Sequence, residues 1–318
     1  MRTGRRTPRV VVVLAAVAVS LVPAACGTGD SVYDLAPPAR PGRPAGTVLV
    51  ASGADLAATV TRVQDAITKA GGTVTVVVDH AADAKTAGVD LPPSRLVIGG
   101  SATAQDPLLR VNQGAGANLP TRYLVRQAAG GAVTITYDSS DYVAAVSGIG
   151  NPGVSRVLQT EIDTVAAAGA GVTVLPMAAP LVGVTPTGYL VTTAGRSAVA
   201  ATVTRITANV DGPSKLVATI DLAAGSATTG PALRDTTELL VSTPAAEAPL
   251  IAAAPSFGLE MPMRFVVWDD DKGVTQIAYP DVKVLAARHG LPVADPNVVR
   301  LAADADRLAK LAAGSAAQ

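Results

Sequence analysis

The sequence predicts an exported chain that carries two tandem copies of one small domain mixing strands and helices. Three observations lead there. At 318 residues the chain is long enough for about two domains. Short motifs recur along it at a near-constant spacing. Its first 26 residues have the layout of a secretory leader.

The leader comes first in the chain. Arg2, Arg5, Arg6 and Arg9 precede an apolar run from Val10 to Val22, and small residues follow as far as Cys26. A basic, apolar, small-residue order is that of a cleaved signal, and a spanning helix needs a longer apolar run of about 20 residues. Residues 1–25 are therefore expected to be a signal peptide. Cys26 is the only cysteine and follows Ala24-Ala25, an arrangement that resembles a bacterial lipobox, although Pro23 stands where a leucine-like residue is usual. Lipidation at Cys26 would place the chain on the extracytoplasmic face of the cell membrane, and without it the chain would be secreted. Residues 26–46, rich in proline and glycine and without apolar periodicity, read as a tether.

Composition limits the functions that follow. A hydrophobic fraction of 49% supports packed cores. Taking the four leader arginines from the 25 basic side chains leaves 21 against 25 acidic ones, a charge near −4. No basic stripe remains to neutralise phosphates, and aromatics at 3% offer few stacking platforms, so no nucleic-acid partner is expected. A lone cysteine excludes a disulfide framework within the chain.

The repeat is read from matched strings. Ala58-Thr59-Val60-Thr61-Arg62 returns as Ala201-Thr202-Val203-Thr204-Arg205, a shift of 143. Leu119-Pro120-Thr121-Arg122-Tyr123-Leu124-Val125 returns as Met261-Pro262-Met263-Arg264-Phe265-Val266-Val267, a shift of 142, and one small indel reconciles the two. Tyr137 and Tyr279 match at the same shift. The first copy is assigned to residues 47–170, a linker to 171–188 and the second copy to 189–318.

Within a copy, Thr47 to Ala51 reads as an opening strand, matched by Tyr189 to Thr193. Residues 54–70 have helical spacing through Leu56, Val60, Val63 and Ile67, stopped by Gly71-Gly72. The unbroken run Val74 to Val78 reads as a buried strand ending at Asp79. A short helix over 81–88 follows, then a strand through Leu96-Val97-Ile98. Arg122–Val125 and Val133–Tyr137 form a hairpin across Gly130-Gly131. Its counterpart is capped by Asp269-Asp270-Asp271-Lys272-Gly273, read as a solvated turn. Helices follow at 139–147 and 154–168, and at 281–289 and 297–313.

Met261 to Leu291, MPMRFVVWDDDKGVTQIAYPDVKVLAARHGL, resembles the C-terminal half of the bacterial and archaeal family called domain of unknown function 302. Thr59 to Gly100 is similar to that family's N-terminal helix and Asp-His segment. The resemblance implies an α+β fold: two tandem copies of a two-layer domain, each a mostly antiparallel sheet with helices on one face, the copies paired as a pseudo-dimer. It implies no activity.

Candidate chemistry is sparse. Gly148-Ile149-Gly150-Asn151-Pro152-Gly153 fits a dinucleotide pattern but follows a helical segment, so it reads as a connection between helices. No nucleophile elbow, phosphate loop or metal-ligand spacing occurs, and neither a cofactor nor a metal is expected. The candidate ligand or catalytic residues are Asp79, His80, Arg122 and Tyr137 in the first copy and Asp221, Arg264, Tyr279 and His289 in the second. Each has a structural alternative: a helix cap for Asp79, Asp221 and His80, packing for the tyrosines, an ion pair for the arginines. Arg288 and His289 would complement the negative end of a helix. The family pattern has both histidines in one domain, whereas here His80 matches Leu222 and His289 matches Ser147, so only a composite site across the pseudo-dimer would hold both. The expected function is a non-catalytic envelope lipoprotein module that binds a small ligand or a protein. The alternatives are a hydrolase-like enzyme with a site around Asp79, His80 and Arg122, or a purely structural envelope protein.

Overall fold

A computed structural model describes Met1, residues 43–226 and residues 230–314. The expected leader, Cys26 and the tether up to residue 42 lie outside the described residues.

In the first repeat, strand β1 (Thr47–Ser52) leads to Asp55, whose carboxylate accepts from the Ala58 amide and starts helix α1 (Leu56–Lys69). Strand β2 (Thr73–Asp79), helix α2 (His80–Thr86), strand β3 (Ser94–Gly100) and helix α3 (Ala102–Val111) follow, and a 3-10 turn (Gln113–Asn118) leads into β4 (Arg122–Gln127). Strand β5 (Val133–Asp138) and helices α4 (Ser140–Val146) and α5 (Pro152–Ala170) complete the unit. Asn151 caps α5 through the Gly153 amide, which assigns the glycine-rich segment to a connection between helices. The second repeat runs β6 (Leu190–Ala194), α6 (Val199–Ala208), β7 (Lys215–Asp221), β8 (Thr236–Ser242) and α7 (Pro244–Ala253). A 3-10 turn (Pro255–Leu259), β9 (Met263–Asp269), β10 (Thr275–Pro280), α8 (Val282–Arg288) and α9 (Pro296–Ala313) close it.

Each repeat forms a five-stranded antiparallel sheet of the same order, β1-β5-β4-β3-β2 and β6-β10-β9-β8-β7. A bulge falls at the same place in both, between Val74 and Val76 and between Leu216 and Ala218. One face of each sheet is covered by helices. Tyr123, Val125, Ile135 and Tyr137 pack with residues of α1 and α5, while Phe265, Val267, Ile277 and Tyr279 pack with residues of α6 and α9. The alternate residues of the same strands face the other repeat, where Leu96, Ile98 and Leu124 meet Leu240 and Leu259.

Four sequence expectations are corrected. Thr47 stands opposite Asp138 and Leu190 opposite Pro280, so the first strand aligns with Leu190 and the shift of 143 already applies there. Strand β2 is only partly buried, because it is an edge strand whose one neighbour is β3. Val-rich runs mark two covered faces only where strands lie on both sides. Residues 222–226 form a turn where the first repeat has α2. Finally, α3 and α7 were not anticipated; Pro107 and Pro249 lie inside them and read as helix breakers.

The repeats meet reciprocally. Gln113–Asn118 of the first lies against β8, β9 and β10 of the second, and Pro255–Leu259 of the second lies against β4 and β5 of the first. Two glycines allow this approach. A Cβ on Gly116 would sit 2.7 Å from Leu222 and 3.0 Å from Val266; one on Gly258, its match, would sit 3.2 Å from His80 and 3.3 Å from Leu124. Leu222 matches His80 and Val266 matches Leu124 at the same shift, so each repeat presents one patch to the other, as in an isologous dimer.

Candidate functional site at the repeat interface

The strand residues that face the other repeat include the charged ones. Arg122 opens β4 and Asp138 ends β5, while Arg264 lies in β9 and Glu238 in β8; all four are buried. Glu260 joins them from the end of the second 3-10 turn, and Arg288 and His289 from the end of α8.

Glu260 is the centre of the cluster. It accepts from Arg264 Nη2 at 2.8 Å, Arg288 Nη1 at 2.6 Å and His289 Nε2 at 3.0 Å. Burial by itself would raise its pKa. The His289 hydrogen bond and the charge of Arg288 outweigh burial and hold the carboxyl below the ordinary range. Arg288 reaches across to the first repeat, where Nη2 donates to Asp138 at 2.5 Å and to the Ala45 carbonyl at 2.7 Å, with Cζ 3.5 Å from the Tyr142 ring centroid. Asp138 also pairs with Arg122 at 3.4 Å. The result is a chain of alternating charge, Arg122, Asp138, Arg288, Glu260 and Arg264, running from one repeat into the other. Burial pushes the Glu238 carboxyl well up, against the opposing charge of Arg122.

For His289, burial is the first cause that pushes the pKa below its ordinary value. Its Nε2–H donates to Glu260, which leaves Nδ1 to accept from the Ser256 hydroxyl at 2.9 Å. A hydroxyl–imidazole–carboxylate order is that of acyl-transfer triads. Here Ser256 is buried and Glu260 is shared by two guanidiniums, so the chain of hydrogen bonds ends inside the protein. The imidazole of His289 makes its hydrogen bonds to Ser256 and Glu260 rather than to the last carbonyls of α8. His80 does not cap α2 either; its Nε2–H donates to the Gly258 carbonyl of the other repeat at 2.8 Å, and burial lowers its pKa to about 4. Both histidines thus hold the same 3-10 turn, His80 at Gly258 and His289 at Ser256 and Glu260.

The other candidates take separate places. Asp79 accepts from the Ala82 amide at 2.9 Å as the cap of α2 and pairs with Arg95. It stands opposite Arg95 in β3, whereas Arg122 stands opposite Ile98, two strands and three residues away, roughly 14 Å. Asp79, His80 and Arg122 are not gathered into one site. Asp221 accepts from the Ala223 and Ala224 amides in an exposed turn. Tyr137 is fully buried rather than half-buried, donates to Asp163 at 3.3 Å, and lies 6.0 Å from the Tyr123 ring. Tyr279 lies 5.5 Å from Phe265 in the matching position.

Sequence reasoning missed Asp138, Glu260 and Ser256. Their signal lay in the differences between copies: Glu260 matches Asn118, Asp138 matches Pro280, Arg288 matches Val146 and Ser256 matches Gly114. The charge is concentrated on one side of a duplicated frame.

The sequence model of the family described as Domain of unknown function DUF302 matches residues 48–170 and again residues 191–308. Among solved structures, the crystal structure of uncharacterized conserved protein DUF302 from Bacillus stearothermophilus is 16% identical, over 40% of this chain and 96% of that one, with a TM-score of 0.35. The comparison with curated proteins found no match. With both repeats matched, covering more than half of its length, the chain belongs to the DUF302 family and carries the domain twice.

Proposed function

We propose that the chain is a non-catalytic binding module of the cell envelope, held on the extracytoplasmic face of the membrane by a lipid on Cys26, with a small ligand or a protein as its partner. The observation that supports a non-catalytic role is the use of its acid–base groups. Both imidazoles are buried and tied to the protein's own atoms, and the Ser256–His289–Glu260 chain has no open end. A site for turnover needs such groups exposed to substrate in a cleft. The location is supported by the leader-like segment and by the position of Cys26 behind it. Among the described residues no helix is long and apolar enough to cross a membrane, so attachment would rest on the lipid.

The test is biochemical. The wild-type chain partitions into the detergent phase and its N-terminal peptide carries a diacylglyceryl mass on Cys26, while Cys26→Ala is released to the soluble fraction. A soluble wild type with an unmodified N-terminus cut elsewhere rules the anchor out.

A further inference from the structure

A second feature of the repeat interface lies apart from the ion cluster. Between the β3–β4 edge of the first repeat and the end of α7 of the second is a cavity of about 230 Å³. On a share of about 30 Å³ per water, it has room for roughly eight waters or an organic molecule of similar bulk. Leu91, Pro92, Pro93, Ile251 and Pro255 supply apolar walls. Three polar residues line it, Ser94, Arg126 and Gln127, and of these Ser94 and Arg126 stand opposite each other in β3 and β4 and so point to the same face.

Among the described residues neither Ser94 Oγ nor Arg126 Nε has a partner. Ser94 is 4% exposed, and its hydroxyl has no hydrogen-bond partner among the described residues. Arg126 Nε is buried without an acceptor, and among the described residues Arg126 makes no ion pair. Burial without a counter-charge lowers its pKa from the ordinary value. Buried polar groups are nearly always bonded, and since Arg126 is half-buried the deficit lies at its Nε and at the Ser94 hydroxyl.

The duplication supplies an internal control. At the matching place in the other half, Thr236 stands for Ser94 and Trp268 for Arg126. There Gln113 fills the position of Pro255 and donates to Thr236 Oγ1 at 2.6 Å, while Arg234, in the position of Pro92, donates to Gln113 Oε1 at 2.6 Å and to the Asp269 carbonyl at 2.8 Å. One half closes its recess with its own side chains. The other has prolines in both plugging positions, a guanidinium in place of the indole, and an open cavity.

We infer that this inter-repeat cavity binds a small monocarboxylate with a compact apolar body, its two oxygens accepting from Arg126 and from the Ser94 hydroxyl and its body resting on the proline and isoleucine walls. A planar carboxylate suits one guanidinium edge and one neighbouring hydroxyl. A sulfate or phosphate would leave strongly hydrated oxygens against apolar walls, a loss the cavity cannot offset. This assignment rests on the binding-module reading and narrows it to a ligand class.

Titration calorimetry and thermal unfolding of the full-length chain in detergent, with benzoate, isovalerate, benzamide and sodium sulfate as probes, test it. Benzoate or isovalerate is expected to bind saturably and raise the unfolding temperature, with benzamide and sulfate at least about tenfold weaker, since a charge-assisted hydrogen bond is lost or the body is missing. Arg126→Met and Ser94→Ala should each weaken the carboxylate. The double substitution Pro92→Arg, Pro255→Gln, which copies the plug of the other half, should abolish binding while the chain still unfolds cooperatively. No response to either carboxylate, an equal response to sulfate, or full binding by a folded Arg126→Met overturns the assignment. If the carboxylates fail while the wild type remains lipid-anchored, only the ligand class falls. Conversion of a probe to a new product, seen by mass spectrometry, removes the non-catalytic reading with it.

Discussion

His80 shows how much one side chain can depend on the other repeat. Its imidazole is neutral because α2 and the second 3-10 turn remove it from water, and its proton goes to a carbonyl 178 residues away. The folded pKa of about 4 lies below the ordinary 6.5. Between those values the unfolded chain binds a proton that the folded chain does not. The resulting stability is complete above pH 6.5 and is lost as pH falls through about 4, for a total of about 3 kcal/mol by linkage. His80→Leu copies the residue at the matching position, Leu222, and removes this titration. Urea unfolding at pH 7.5 should show a loss of about 1 kcal/mol from the orphaned Gly258 carbonyl. Between pH 7.5 and 4.5 the variant should lose less stability than the wild type. An equal loss in both would mean that His80 is not held neutral. From the sequence, the pairing of His80 with Leu222 across the copies was legible, but the Gly258 carbonyl it meets was not, since backbone acceptors carry no residue signature.

At the scale of elements, the two 3-10 turns carry the contact between repeats. Each is seated on the other's sheet, with a glycine at its closest approach. Valine at Gly116 or at Gly258 forces carbon against Val266 and Leu222, or against Leu124 and His80, and should cost about 2 kcal/mol through overpacking. Gly130, in the β4–β5 turn, has open space around its Cβ position, and Gly130→Ala should stay within about 0.5 kcal/mol. Urea midpoints of the three variants distinguish them, and equal effects would contradict the reciprocal seating. Strands and helices with strong periodicity were readable one by one: the hairpin strands, α1, α4, α5, α8 and α9 all fall close to their expected positions. The turns were not, because Gln113-Gly114-Ala115-Gly116 has neither a helical nor an alternating apolar pattern and acquires its shape from the surface it meets.

For the whole molecule, the Arg122–Asp138–Arg288–Glu260–Arg264 chain joins the repeats across a face that also buries Leu96, Ile98, Leu124, Leu240 and Leu259. Removing the middle cation leaves buried Asp138 with Arg122 alone and takes one of two guanidiniums from buried Glu260. Arg288→Met should therefore destabilise the chain by about 3–5 kcal/mol at neutral pH. The wild type should unfold in one transition by both calorimetry and circular dichroism, because neither sheet keeps its inner face covered alone. Two separate transitions in the wild type would show that the repeats are independent.

By itself the sequence determined that the chain is duplicated, that each copy is a mixed sheet-and-helix unit, and which strand positions match across the copies. Those facts rest on local periodicity and self-similarity, which adjacent residues encode. The tertiary structure decided what the polar residues do. Asp138, Glu260 and Arg288 are far apart in the chain and meet only because two sheets face each other, and Ser94 and Arg126 are left open only because prolines stand where the other repeat has a plug. Charges brought together across a pseudo-symmetric interface depend on how the two halves differ, and that difference acquires chemical meaning only once the halves are packed.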